Sequence, residues 1–244
     1  MTQHPIKPAL LDLLRRAQTS QNDFFKRVPE AERAGSGTPN HWSAKDHVAH
    51  LTFWRQRLAL RLRAIARHEP QPGALNFEEQ NPRIYAEQAP RPWSTILTES
   101  DQAYADLIAL TTQLTEEDLT AWGRFEWMEG GEPLYIAYLG NCYEHAQIHL
   151  AQYLLDRHEP ARAQETYEVW VRRVLDADLP DPLKGTVLYN LACYYATHDV
   201  LDVARRTLGQ SLTLYPDLRA FALTDPELEG ARPDSAQEPT GGER

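Results

Sequence analysis

Cysteine is scarce in this chain: 244 residues carry two, Cys142 and Cys193. They form no CxxC spacing, which removes the usual thiolate zinc site and the dithiol redox centre. Both lie in apolar, helical-looking stretches, where free buried thiols are the expectation rather than a disulfide. Long apolar runs are missing as well. No stretch approaches the roughly 18 to 20 residues needed to cross a bilayer, and the start, MTQHPIKPALLDLLRR, has neither the apolar core nor the small-residue cleavage site of an export signal. A cytoplasmic protein without membrane association is expected. Basic charge is in deficit, with 25 Lys and Arg against 35 Asp and Glu and a net charge of −10. Such a surface repels a phosphate backbone unless its cations cluster, so nucleic acid is not an expected partner. Sustained alternation of β-branched residues is absent too, which argues against strands. There is no glycine-rich phosphate loop, Walker lysine or Ser/His/Asp motif.

What is present is ordinary globular composition, 42% hydrophobic and 25% charged, arranged with helical periodicity. Residues 8–27 carry Leu10, Leu11, Leu14, Phe24 and Phe25 on one helical repeat. A second helix opens at Ser43, with Asp46 placed to complete a capping box, and runs to about Arg67. Its apolar face includes Val48, Leu51, Trp54, Leu58, Leu62 and Ile65, while Arg55, Arg57, Arg61, Arg63 and Arg67 are assigned mostly to the solvated side. Prolines at 70, 72, 82, 90 and 92 interrupt the next segment around a short helical candidate, FEEQNPRIYAEQ. Further helices are expected over about 92–114 and 134–157. Four long helices predict an all-α, up-and-down four-helix bundle over residues 1–158.

The C-terminal third has its own pattern. A helix is expected over 160–176, and LPDP at 179–182 punctuates the chain. From Lys184 onward, Leu188, Leu191, Ala192, Tyr195, Ala204, Leu208 and Pro216 fall on the positions of a tetratricopeptide repeat, with Asp199 at the usual glycine and Ser211 at a usual alanine. One copy cannot bury its apolar face alone, so residues 159–230 are expected to form a helix, a single repeat hairpin and a tail helix. Residues 231–244 are expected to be a disordered tail.

Histidine supplies the candidate chemistry. His145 and His149 are four apart on one helix, so their rings project from one face at a separation that can chelate a metal ion. The competing reading is a pair of half-buried polar core residues. A third ligand must come from another helix, and His50 is the candidate, since it sits among the inward-facing Val48, Leu51 and Trp54, where a lone imidazole is costly. His47, three residues earlier, is either a neighbour in that site or a surface imidazole. Cys142 reads as a buried thiol rather than a nucleophile. Trp54, Tyr85, Trp93, Trp122, Phe125 and Trp127 are candidates to wall an apolar pocket, about two of them in that role.

WSAKDHVAHLTFW over 42–54 and NCYEHAQIHLAQYL over 141–154 together resemble the DinB/YfiT-like four-helix bundle superfamily. The resemblance covers roughly residues 5–158. It implies a three-histidine metal site, usually zinc or nickel, with His50, His145 and His149 at the ligand positions and Gln152 at that family's glutamine. The middle of the chain, NPRIYAEQAPRPWSTIL with LTEEDL and FEW, is similar to the ClbS/DfsB branch, which includes a cyclopropane hydrolase acting on a genotoxin warhead. The chain departs from the metal-site pattern in having His-Leu-Ala-Gln where members commonly show His-Arg-Gly-Gln, and Ile148 where they commonly show a further histidine.

Two functions from different classes follow from this resemblance and from the repeat spacing. One is a metal-dependent hydrolase, or a thiol-dependent transferase, acting on a small reactive electrophile in stress or detoxification. The other is a non-enzymatic scaffold or sequestration protein whose repeat segment docks a protein partner. A homodimer through helix faces is an expectation of either.

Overall fold

The computed structural model describes residues 5–35, 37–39, 41–73 and 75–232. Most of the tail expected at 231–244 therefore lies outside the described residues. Among those described, the chain is helical, with one isolated bridge between Thr38 and His41 and no strand. The helices in chain order are α1 (Lys7–Lys26), α2 (Glu30–Ala34), α3 (Ala44–Ala66), α4 (Phe77–Gln88), α5 (Trp93–Gln113), α6 (Glu116–Thr120), α7 (Leu134–Tyr138), α8 (His145–Leu155), α9 (Pro160–Asp176), α10 (Asp181–Thr197), α11 (Leu201–Leu214) and α12 (Leu218–Ala222). Among the described residues, no helix is long and apolar enough to cross a membrane.

The described residues divide into two compact units, one ending at Trp170 and the other beginning at Val171, a boundary that falls inside α9. In the first unit, α1 packs on α5 and α8, and α3 packs on α5, α4, α2 and α8. Leu10, Leu14 and Phe25 of α1, Leu51, Leu58 and Leu62 of α3, and Tyr104 and Leu107 of α5 are almost fully enclosed, as are Leu150 and Leu154 of α8. The start of α3 is fixed as its sequence predicts. The Ser43 Oγ accepts from the Asp46 backbone N–H at 3.2 Å and Asp46 accepts from the Ser43 N–H at 2.9 Å, satisfying two otherwise orphaned donors. Thr115 and Asp118 cap α6 in the same way. Glu116 accepts from the backbone N–H groups of Ile6 and Lys7 at the start of α1.

Two features of this unit depart from the expectation. The helix expected over 134–157 is broken by a π-helical segment, Leu139–Glu144, between α7 and α8. Arg55 is not solvated: its side chain is fully enclosed, with the guanidinium 4.2 Å from the Tyr104 ring. The physical reason is that burial in α3 runs without interruption over residues 44–52 and continues at Trp54 and Arg55. This half of α3 is surrounded on every side, so an amphipathic period does not describe it.

In the second unit, α10 and α11 are joined by three residues and pack closely on each other. Their direction is antiparallel, because the Ser211 hydroxyl near the end of α11 donates to the Gly185 carbonyl near the start of α10 at 2.8 Å. Ala192 and Ala204 are fully buried. Asp199, in the connection, takes a left-handed conformation with φ of 61°, one that Asp tolerates better than most residues. Both cysteines are free and buried.

Candidate metal centre

α3 and α8 each contribute two imidazoles to one spot. His145 is central: its Nε2 lies 3.0 Å from the Nε2 of His50 and 3.0 Å from the Nε2 of His149. Ligand atoms of the three residues all fall within 4.8 Å of one another. Protons cannot satisfy this arrangement, because one His145 nitrogen offers either a single N–H or a single lone pair to two facing nitrogens. One cation among them would give each of the three a partner. Zinc–nitrogen bonds of about 2.0 to 2.1 Å in tetrahedral geometry hold ligand nitrogens about 3.3 Å apart, close to the separations found. These three histidines could hold a metal ion.

The surroundings are built around that convergence. His47, on the same buried turns of α3, places its Nδ1 2.9 Å from the Nδ1 of His149. Trp42 covers the cluster, stacked on the His149 ring at 5.6 Å and 6° and lying 5.0 Å from the His50 ring. Tyr85 of α4 stacks behind it at 6.3 Å. The loop carrying Trp42 is pinned at several points. The Gly37 N–H donates to Asp46 at 2.7 Å, the Tyr85 hydroxyl donates to the Gly37 carbonyl at 2.6 Å, and Thr38 bridges to His41. A side chain at Gly37 has no room, since its Cβ would sit 2.2 Å from the His41 carbonyl oxygen and 2.5 Å from the Ser43 nitrogen.

Residues 13–153, more than half of the chain, match the DinB superfamily. The chain belongs to the DinB superfamily. No curated protein and no solved structure matches it. The matched stretch contains all four clustered histidines and Trp42.

In this DinB protein the imidazoles are held neutral, the form that ligates metals. Burial is the main cause at each. It presses His47 and His145 down to about 3 and His50 to about 4, and takes His149 well below its ordinary value. Neighbouring charge acts the same way. Arg55 disfavours a further cation at His50, and at His145 and His149 it adds to the effect of the other imidazoles. Buried Cys142 has its thiol pushed up to about 12, which leaves it protonated and unreactive at neutral pH.

The other candidates sort by position. Gln152 is exposed and donates to Asp156 at 2.6 Å, so it takes no part in the cluster. Trp54 lies beside His50, with ring centroids 6.3 Å apart, and Tyr85 supports Trp42. Trp127 lines a cleft farther along the bundle. Trp93 packs on Phe25, Phe125 is buried, and Trp122 is exposed. Outward hydrogen bonding of the ligand set is uneven: His149 has His47, whereas the Nδ1 of His50 is buried without a hydrogen-bond partner. His47 resolves as a member of the cluster rather than a surface group, at 2% exposure.

Proposed function

We propose that this DinB protein is a metal-dependent hydrolase or transferase acting on a small reactive electrophile, with His50, His145 and His149 as the ligands of one zinc or nickel ion. The observation that carries the reading is the approach of the His50 and His149 Nε2 atoms to that of His145, each at 3.0 Å. Bound there by three protein ligands, such an ion would supply an open coordination position and Lewis acidity.

The chain's own groups have distinct parts in this reading. With His149 donating its Nδ1 proton to the Nδ1 of His47, the His149 Nε2 is left as a bare lone pair facing His145. Trp42 excludes water from one side of the cluster. Arg55 places a fixed positive charge close to the imidazoles, which favours negative charge developing on a nucleophile or leaving group nearby. The finer assignment within the superfamily is to the ClbS/DfsB branch, supported by NPRIYAEQAPRPWSTIL and the FEW segment. The fold in this reading is the superfamily's up-and-down four-helix bundle. The α10–α11 pair is read as one tetratricopeptide-type hairpin, supported by the motif spacing and by the buried Ala192 and Ala204.

The reading is tested by incubating metal-free, zinc-loaded and nickel-loaded protein with a panel of strained-ring, epoxide and activated-ester electrophiles, with and without an added thiol. Conversion is expected only with the loaded protein and is expected to disappear in His149→Ala. Equal conversion by metal-free protein would contradict it.

A further inference from the structure

One helical turn from the histidine cluster, the groove between α3 and the α7–α8 stretch opens into a cleft of about 410 Å³. Trp54, four residues after His50, and Asn141, four residues before His145, both line it. Its volume is that of a small-molecule site. Its chemistry is uneven. Trp54 and Phe77 stand with ring centroids 4.6 Å apart and form one aromatic wall, and Trp127 forms another. Phe77 is 63% exposed, an uncovered aromatic at the cleft edge.

Two cations share this space. Arg57 and Arg61, one turn apart on α3, both line the cleft, and neither forms an ion pair among the described residues. Their contacts are to main-chain carbonyls and a ring. Arg57 donates to the Gly73 carbonyl, and Arg61 donates to the carbonyls of Pro72 and Gly73 at 3.4 and 3.3 Å while lying 4.2 Å over the Trp127 ring. A guanidinium has five N–H donors, so both retain unused ones, and the Nε of Arg57 is buried with no acceptor. Burial and the charge of Arg57 hold the Arg61 pKa below its ordinary value. Two partly desolvated like charges at this spacing repel each other, and an anion between them would remove that cost. Glu132 lines the same cleft, so its charged side chains sum to one positive charge.

We propose that this cleft binds a flat, apolar molecule bearing a single anionic group, its ring lying between Trp54, Phe77 and Trp127 and its anion held by Arg57 and Arg61. A carboxylate matches the guanidinium fork best. This deepens the reading of the histidine cluster and rests on it for the reaction: the cleft seats the body of the substrate one turn away from the cluster. The binding itself needs no metal, because none of the three ligand histidines lines the cleft.

Three naphthalene probes of one shape test this by tryptophan fluorescence on the full chain, before and after chelator treatment: 2-naphthoate, the neutral 2-naphthamide and the cationic 2-naphthylmethylamine. Expected is saturable binding of naphthoate at least ten-fold tighter than of the amide, the amine being weakest, with the order unchanged by chelation. In the double variant Arg57→Gln, Arg61→Gln the preference for naphthoate is expected to vanish while amide binding persists, which also reports an intact cleft. Equal binding of naphthoate and amide, tighter binding of the amine through Glu132, or saturation by none of the three would each overturn the proposal using wild-type protein alone. A preference that survives the double variant would overturn the role of the arginines. Loss of metal uptake with the naphthoate preference retained would defeat the metal-centre reading and leave the cleft assignment standing.

Discussion

The Nδ1 atoms of His47 and His149 lie 2.9 Å apart, joining a buried imidazole that faces no other ligand to one that does. With His149 as the donor, this contact leaves the His149 Nε2 free to ligate, as the proposed metal centre requires. Removing the partner of a metal-ligating histidine costs about 10- to 100-fold in affinity. His47→Ala is therefore expected to weaken zinc binding by that factor, read by competition with a chromophoric chelator. The helical circular dichroism should be nearly unchanged, because the apolar core holds the fold. Unaltered affinity would mean that His47 does not orient His149.

Acid should destabilise the metal-free protein over a defined window. An unfolded imidazole takes up its proton near pH 6.5, whereas folded His50 does so at about 4 and folded His145 and His47 at about 3. Between those values the unfolded state binds more protons, so stability is intact above pH 6.5 and is lost as pH falls. Each imidazole contributes about 1.4 kcal/mol per pH unit in that window. Urea midpoints of chelator-treated protein are expected to hold steady from pH 8 to 7 and then to fall from pH 6.5 toward 4. A flat profile across pH 6.5 to 5 would contradict the neutral, buried cluster.

Trp42 covers the His149 ring at 5.6 Å and belongs to a loop rather than to the packed helices, so its removal should affect access more than affinity. In Trp42→Ala, zinc is expected to pass to excess chelator at least ten times faster, with a smaller change in equilibrium affinity. An unchanged transfer rate would show that the ring does not guard the cluster.

Gly185 sets the closeness of α10 and α11 in the second unit. A Cβ there would lie 2.6 Å from the Tyr215 Cβ and 3.2 Å from the Ser211 carbonyl oxygen, atoms that cannot swing aside as the end of a long side chain can. Gly185→Ala is expected to cost about 1 to 3 kcal/mol, in the range of other overpacked sites. Differential scanning calorimetry would read this as a lowered transition. An unshifted transition would show that the two helices are free to separate.

The sequence made the helices legible wherever local chemistry marks them: Ser43 and Asp46 announce the start of α3, and Pro92 precedes the first turn of α5. The pair His145 and His149 was legible from spacing, and His50 from its apolar neighbours. His47 and Arg55 were not, because the reading of a solvated face assumes a helix with one side in water, and residues 44–52 are enclosed all round. Trp42 carried no periodic signal either. Its position comes from a loop whose shape depends on contacts of Gly37 with Asp46, nine residues on, and Tyr85, 48 residues on. The π-helical segment Leu139–Glu144 was hidden as well, since its residues continue an apolar pattern on either side.

Zinc titration of chelator-treated protein, followed by calorimetry and confirmed by elemental analysis, bears most directly on the histidine cluster. One equivalent per chain is expected, with the site abolished or strongly weakened in His149→Ala and retained in Gln152→Ala, whose parent side chain faces solvent. Folded protein that takes up no zinc or nickel at neutral pH would contradict the metal centre.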